Sequence, residues 1–320
     1  MFSFQRGIYF DKLDLWADSQ RPVRKAIISH AHLDHACKPE LLYATKSTIE
    51  LLKQRIGLSK TREKSLEFGE VYQFEGGALS LYPAGHILGS AQALVEIDGV
   101  RILYSGDFNM AKSLTAEAIE IPECDILIME STFGHPDYEW PPRNLVVEQL
   151  LDFVEKSLKE GSVPIIGGYT LGKSQEALKL ISDASFPVQA HGSIAVLAKI
   201  YERFGVKFGA WERYKKSDVG GKALLIPPKS IETRMVRQIP NKKTLFLSGW
   251  SAVGNKGRRG FEQALPLSDH ADFNGLLEYA RLSGAKQIYT LHGFKSFPER
   301  LRNFGFSASL IEEKDQLSLF

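Results

Sequence analysis

Short apolar runs punctuate the first 140 residues, and several of them lead into polar side chains. Residues 25–29 precede His30, 79–82 precede Gly85 and His86, 101–104 precede Gly106 and Asp107, and 124–129 precede Glu130. Each run is short, rich in Ile, Leu, Val and Tyr, and bounded by Gly or Pro, which predicts strands. Polar residues just past strand ends are how layered α/β proteins gather a site from distant parts of the chain. The middle third changes character. Residues 163–167, 187–190 and 224–226 read as strands, with helical stretches at 174–181 and 194–204 between them, predicting a small parallel α/β unit. A strand at 244–247, a helix at 273–282 and a strand at 287–291 ending at His292 restore the earlier pattern. The simplest arrangement is one larger domain, 1–144 and 243–320, interrupted by an insertion at 145–242.

Composition narrows this picture without redirecting it. A chain of 320 residues, 43% hydrophobic and 24% charged, is that of an ordinary soluble globular protein. Forty basic residues against 38 acidic ones give a net charge of +2, so a nucleic-acid surface would have to be a local groove. Two cysteines, Cys37 and Cys124, exclude a disulfide scaffold and suit a reducing cytoplasm. The first ten residues lack a signal-peptide core and no segment could span a bilayer, so a cytoplasmic location with no membrane partner is expected.

The strongest chemical signal is Ser29-His30-Ala31-His32-Leu33-Asp34-His35, where three of the chain's eight histidines crowd behind a strand. Neutral imidazole and carboxylate are good ligands for Zn²⁺ or Mn²⁺. Alternation sends His30 and His32 to the same side of an extended segment, while Asp34 and His35 open a turn into a helix and can face a second ion. Two ions need more ligands. His86, Asp107 and His292 each follow a strand and sit beside small residues, which completes a plausible set.

These residues together resemble the metallo-β-lactamase superfamily. The loop is similar to its HxHxDH signature, and His86, Asp107 and His292 fall where its later ligand motifs belong. The resemblance implies an α/β fold, an αββα sandwich carrying an inserted small α/β unit, and two divalent ions, Zn²⁺ or Mn²⁺. It places His30, His32 and His86 on the first ion, Asp34, His35 and His292 on the second, and Asp107 between them. Asp18 resembles the family's early aspartate, which supports the ligand loop from behind.

Further motifs resemble the β-CASP nucleases of that superfamily. Glu130-Ser131-Thr132-Phe133 is similar to the acidic motif that opens into the insertion, and Ser268-Asp269-His270-Ala271-Asp272 to the branch's second motif. By that likeness His270 is the general acid or transition-state donor, Glu130 its partner, and Asp34 a member of the catalytic group. Tyr138-Glu139-Trp140-Pro141-Pro142-Arg143 and Gly168 to Gln175 also resemble bacterial ligase-associated DNA exonucleases, encoded beside a DNA ligase and a helicase. The implied activity is exonuclease action on DNA in repair, with the 5′ end favoured and a hydroxide shared by the ions attacking phosphorus. Histidine at 292 departs from the DNA-acting eukaryotic members, which carry valine, and keeps an RNA substrate open. A hydrolase of small esters or thioesters shares the metal loop but has no need of the His270 motif or the insertion.

One motif points elsewhere. Gly167-Gly168-Tyr169-Thr170-Leu171-Gly172-Lys173-Ser174 matches the pattern of nucleotide-binding phosphate loops. Its position midway along the chain, and the better use for Glu130, argue against a triphosphatase. The physics of a glycine-rich turn entering a helix still favours an anion, so Gly172, Lys173 and Ser174 are expected to meet a substrate phosphate. Ser131, Arg143, Arg258 and Arg259 are further candidate phosphate contacts, and Tyr138, Trp140 and Trp211 candidate stacking partners for bases.

Overall fold

In the strand Ile126–Ser131, Ile126 and Ile128 join one apolar cluster and Leu127 and Met129 another. Successive side chains of a strand point to opposite faces, so a strand apolar on both must be covered on both. The neighbouring strand Val100–Tyr104 is built alike, with Ile102 and Tyr104 facing one way and Leu103 the other. The computed structural model describes residues 1–254, 258 and 260–311 and supplies both covers. On one side lies a mixed six-stranded sheet of short strands between Phe2 and Ser65, whose Phe10, Leu15 and Ile27 share a core with Leu81, Val95 and Ile128. On the other side the helices Phe273–Leu282 and Phe297–Asn303 pack Leu276, Tyr279, Phe297 and Leu301 against Leu103, Leu127 and Met129. Helix Lys46–Ile56, capped by the Thr45 side chain, buries Ile49, Leu51 and Leu52 beside the first sheet. The layers are those of an αββα sandwich.

Strand direction in the second sheet places the chemistry. Its order runs Ala308–Leu310, Gln287–Gly293, Ile126–Ser131, Val100–Tyr104, Ala91–Ile97, Gly77–Pro83 and Val71–Phe74. Val100–Tyr104, Ile126–Ser131 and Gln287–Gly293 are parallel neighbours. Gly77–Pro83 runs the same way, because two antiparallel pairings separate it from Val100–Tyr104. The carboxyl ends of four strands therefore lie along one edge, and His86, Asp107, Glu130 and His292 follow or end them. Gly293 lies so close to the neighbouring strand that a Cβ would stand 1.8 Å from the Ser131 carbonyl oxygen, which only glycine permits.

Residues Asp137–Asp269 form a separate compact unit, and Met1–Pro136 with His270–Phe320 form the other. The inserted unit holds a parallel six-stranded sheet in the order Glu212–Arg213, Val188–Ala190, Ala223–Ile226, Val163–Gly167, Lys242–Leu247, Gln263–Leu265. Ile166, Leu225 and Leu245 face one cluster, together with Leu150, Leu178 and Ala195 from three helices, while Ile165, Leu224, Ile226 and Phe246 face another. The expected boundaries of 145 and 242 need correction at both ends. Lys242–Leu247, read as the return of the larger domain, pairs with Val163–Gly167, and Gln263–Leu265 pairs with it in turn. Phe246 is fully buried and stacks on Phe261 at 5.3 Å. Its replacement by alanine is expected to cost about 3–5 kcal/mol, read as a fall in the midpoint of urea unfolding. No helix among the described residues is long and apolar enough to cross a membrane.

Candidate active site

The histidine loop is held as extended backbone after the strand Lys25–Ile27. Ile28 N–H still donates to the Tyr43 carbonyl, and Ser29 N–H donates to Asp18 Oδ1 at 2.7 Å. The helix expected directly after His35 does not form. A turn closed by His35 N–H on the His32 carbonyl takes its place, and the next helix begins at Lys46. Pro39 explains the difference, since it disfavours helical backbone at Lys38 and carries no N–H of its own.

Ligand atoms of His30, His32, His86 and Asp107 all lie within 4.8 Å of one another, and Asp18, His30 and His35 form a second such group. Asp107 Oδ2 is the hub. It stands 3.4 Å from His35 Nε2, 3.5 Å from His30 Nε2 and 3.9 Å from both His86 Nε2 and His270 Nε2. Four imidazole nitrogens thus ring one carboxylate oxygen. His30 Nε2 is buried without a hydrogen-bond partner among the described residues, which is rare and costly for a polar atom unless something else satisfies it. An all-nitrogen-and-carboxylate donor set with an orphaned imidazole nitrogen at its centre fits a divalent cation such as Zn²⁺ or Mn²⁺.

The electrostatics agree. Burial pushes the His30 pKa well below the ordinary histidine value, and the neighbouring His35 pushes the same way, so its ring is a neutral donor. Burial opposes charge on His35 as well, yet Asp107 and Asp18 hold its pKa well above the ordinary value. Burial alone would raise Asp107, but His35 and His270 keep it well below the usual carboxylate range.

Supporting residues fix these groups. Asp18, in left-handed backbone with φ 46°, accepts on Oδ2 from Ser29 Oγ at 2.5 Å, His35 Nδ1 at 2.7 Å and Tyr104 OH at 2.9 Å. That contact directs His35 Nε2 toward Asp107, the support expected of an aspartate behind the ligand loop. Glu130 lies at an irregularity in its strand pairing and accepts from Phe108 N–H at 2.9 Å. Its carboxylate meets His270 Nδ1 at 3.0 and 3.1 Å, leaving His270 Nε2 toward Asp107. Ala271 N–H, on the Phe108 carbonyl at 2.8 Å, ties the His270 segment to the loop that carries Asp107. Tyr104 and Ser29 were not singled out as site residues. A tyrosine in a buried strand carries no local signal of what its hydroxyl meets.

The remaining candidates stand outside these groups of converging ligand atoms. Asp34 is exposed on the turn and joins none of the convergent groups, and neither does His292, which is exposed with its ring 5.5 Å from that of His35. The Ser131 hydroxyl donates to the Leu291 carbonyl at 3.1 Å and is buried, so it acts as a clip between strands. In the inserted unit the anion expected at the glycine-rich turn is supplied from within. Lys173 is buried and pairs with Asp269, Gly172 N–H donates to Gln175 Oε1 at 2.8 Å, and Ser174 Oγ donates to the Gly168 carbonyl at 3.2 Å. The turn thus caps its own helix. Arg143 pairs with the buried Glu176, Tyr138 is buried against Trp250, and Trp211 donates its indole N–H to Glu202 beneath Lys199. Trp140 is half-buried and Arg258 exposed, while Arg259 lies outside the described residues.

No protein-family model matches the chain. It is 36% identical over 320 residues to a protein of Opitutus terrae named a probable DNA ligase, covering 99% of this chain and 31% of that one. It is 26% identical over 364 residues to an RNase J-like protein of Methanocaldococcus jannaschii, covering 91% of this chain and 85% of the other. A solved structure of a protein of unknown function from Enterococcus faecalis shares the fold with a TM-score of 0.64 at 17% identity, over 94% of this chain and 82% of that one. These relatives agree with the resemblance to the β-CASP nucleases of the metallo-β-lactamase superfamily. The chain spans under a third of its ligase-named relative.

Metal uptake by this protein should depend on pH. His35, with its pKa raised, carries a proton near neutrality that a cation must displace. Binding is therefore expected to release about one proton, and affinity to rise with pH until the raised His35 pKa is passed. Calorimetric zinc titrations in two buffers of different ionisation enthalpy measure this, and identical apparent enthalpies in both would refute it.

Proposed function

We propose that this protein is a metal-dependent phosphodiesterase that removes nucleotides from an end of DNA, the 5′ end by preference, during repair. The observation that carries the reading is the His270–Glu130 pair set 3.9 Å from the Asp107 hub. Hydrolysis of a small ester has no need of a carboxylate-backed imidazole beside such a centre. His30, His32 and His86 would hold one ion, His35 with Asp34 and His292 a second, and Asp107 would serve both. Bound ions would supply Lewis-acid neutralisation of phosphate oxygens and lower the pKa of water.

The chain's own groups do the rest. Asp18 holds the His35 ring with Nε2 turned to the centre. Glu130 places its negative charge on the Nδ1 side of His270, so a proton on Nε2 is charge-compensated and available to the departing oxygen. The ligase-named relative favours DNA, since nearly this whole chain matches a segment of a protein named for joining DNA. The RNase J-like relative and His292 favour a second reading, an RNA-processing nuclease using the same centre. Digestion of single- and double-stranded DNA and RNA, labelled at either end, with Zn²⁺ and Mn²⁺ compared, separates the two. Mononucleotide release from 5′-labelled DNA alone is the expected result, and cleavage of RNA alone would overturn the DNA reading.

A further inference from the structure

We infer that Ser29 is a positioning residue that sets the tautomer of His30, leaving Nε2 with a bare lone pair facing the metal-ligand cluster. The inference rests on the proposed metal centre. It follows from counting hydrogens. Asp18 accepts from Ser29 N–H, Ser29 Oγ, His35 Nδ1 and Tyr104 OH, at distances from 2.5 to 2.9 Å. Ser29 has a single hydroxyl hydrogen, and the 2.5 Å contact with Asp18 Oδ2 commits it there. The Ser29 oxygen can then only accept from the other group it touches, His30 Nδ1 at 3.0 Å. A neutral imidazole carries one N–H, so a hydrogen on Nδ1 leaves none on Nε2. The opposite tautomer would aim a buried N–H at no acceptor in reach, Asp107 Oδ2 being 3.5 Å away, and would set two lone pairs against each other at Ser29.

The seat is tight as well as polar. A Cβ on Gly106 would stand 2.7 Å from the Ser29 Cβ, so the loop bearing Asp107 passes directly over this serine. The Ser29 backbone is pinned independently, its N–H on Asp18 and its carbonyl accepting from Ala91 N–H at 2.8 Å. Removing the hydroxyl therefore removes the relay while leaving the strand end anchored. One carboxylate orients two metal-facing imidazoles: His35 directly and His30 through Ser29.

The test reads the ring itself. In metal-free protein labelled with ¹⁵N-histidine, two-bond ¹H–¹⁵N spectra are expected to show His30 with its hydrogen on Nδ1. Ser29→Ala should lose that single form and bind zinc about 10–100-fold more weakly in competition with a chelating dye, at unchanged far-ultraviolet circular dichroism. A purely packing role would lower the melting temperature without altering the tautomer. A wild-type His30 with its hydrogen on Nε2 overturns the inference without recourse to any variant, and so does a folded Ser29→Ala protein with unchanged zinc affinity. Zinc binding with the expected tautomer but no cleavage of any polynucleotide would leave the inference standing and remove the proposed function instead.

Discussion

Asp107→Ala is expected to abolish cleavage and strip the protein of metal. Oδ2 of this residue lies 3.4–3.9 Å from four imidazole nitrogens contributed by His30, His35, His86 and His270. No other carboxylate oxygen among the described residues is so placed, and the Asp107 carboxyl is held ionised far below its ordinary range. Its loss removes the negative charge common to both proposed ion sites and leaves the first set of ligands, His30, His32 and His86, with no carboxylate among them. The rate should fall by more than about 10³-fold, beyond what the loss of one hydrogen-bonding group costs in a preorganised site. Elemental analysis after dialysis, alongside turnover of end-labelled DNA, tests both halves. Normal turnover by a metal-free Asp107→Ala protein would end the two-ion scheme.

His270→Ala should separate chemistry from metal binding. The ring meets Glu130 through Nδ1 and faces Asp107 through Nε2 at 3.9 Å, and it remains partly open to solvent where a substrate could reach it. If Nε2 delivers a proton to the departing oxygen, its loss should lower kcat by about 10²–10⁴-fold while metal content stays intact. Glu130→Gln keeps the size of the side chain but removes the charge behind the ring, and should reproduce part of that loss. Replacing Glu130 by alanine would confuse the result, because its carboxylate also holds Phe108 N–H and with it the Asp107 loop. Loss of metal from His270→Ala, or a KM effect with unchanged kcat, would reassign the residue to coordination or to binding.

The site was legible where chemistry is concentrated in short motifs at strand ends. His30, His32, His35, His86, Asp107, Glu130 and His270 are brought together although the first and last lie hundreds of residues apart. Strands buried on both faces were legible for the same reason, as at Ile126–Ser131. What could not be read depends on distant partners. Arg62–Ser65 is a strand with every residue exposed, and pairing with Leu41–Ala44, not apolar alternation, makes it one. Lys242–Leu247 has the apolar run of any buried strand, and only its pairing with Val163–Gly167 assigns it to the insertion. The glycine-rich turn at Gly172 has the right local form for an anion. Its lysine is taken by Asp269, 96 positions away, which no local signal announces.

On the proposed function, chain order also bears on when the protein could first cut a polynucleotide. The strand Ile126–Ser131, which ends in Glu130 and Ser131, has its parallel neighbour in Gln287–Gly293, with the whole inserted unit synthesised between them. His30, His32, His35, His86 and Asp107 all leave the ribosome more than 150 residues before His270 does. On the proposed chemistry, a nascent chain bearing the His30–His35 loop, His86 and Asp107 still lacks both the group that releases the cut end and the His292 ligand until the inserted unit has been made.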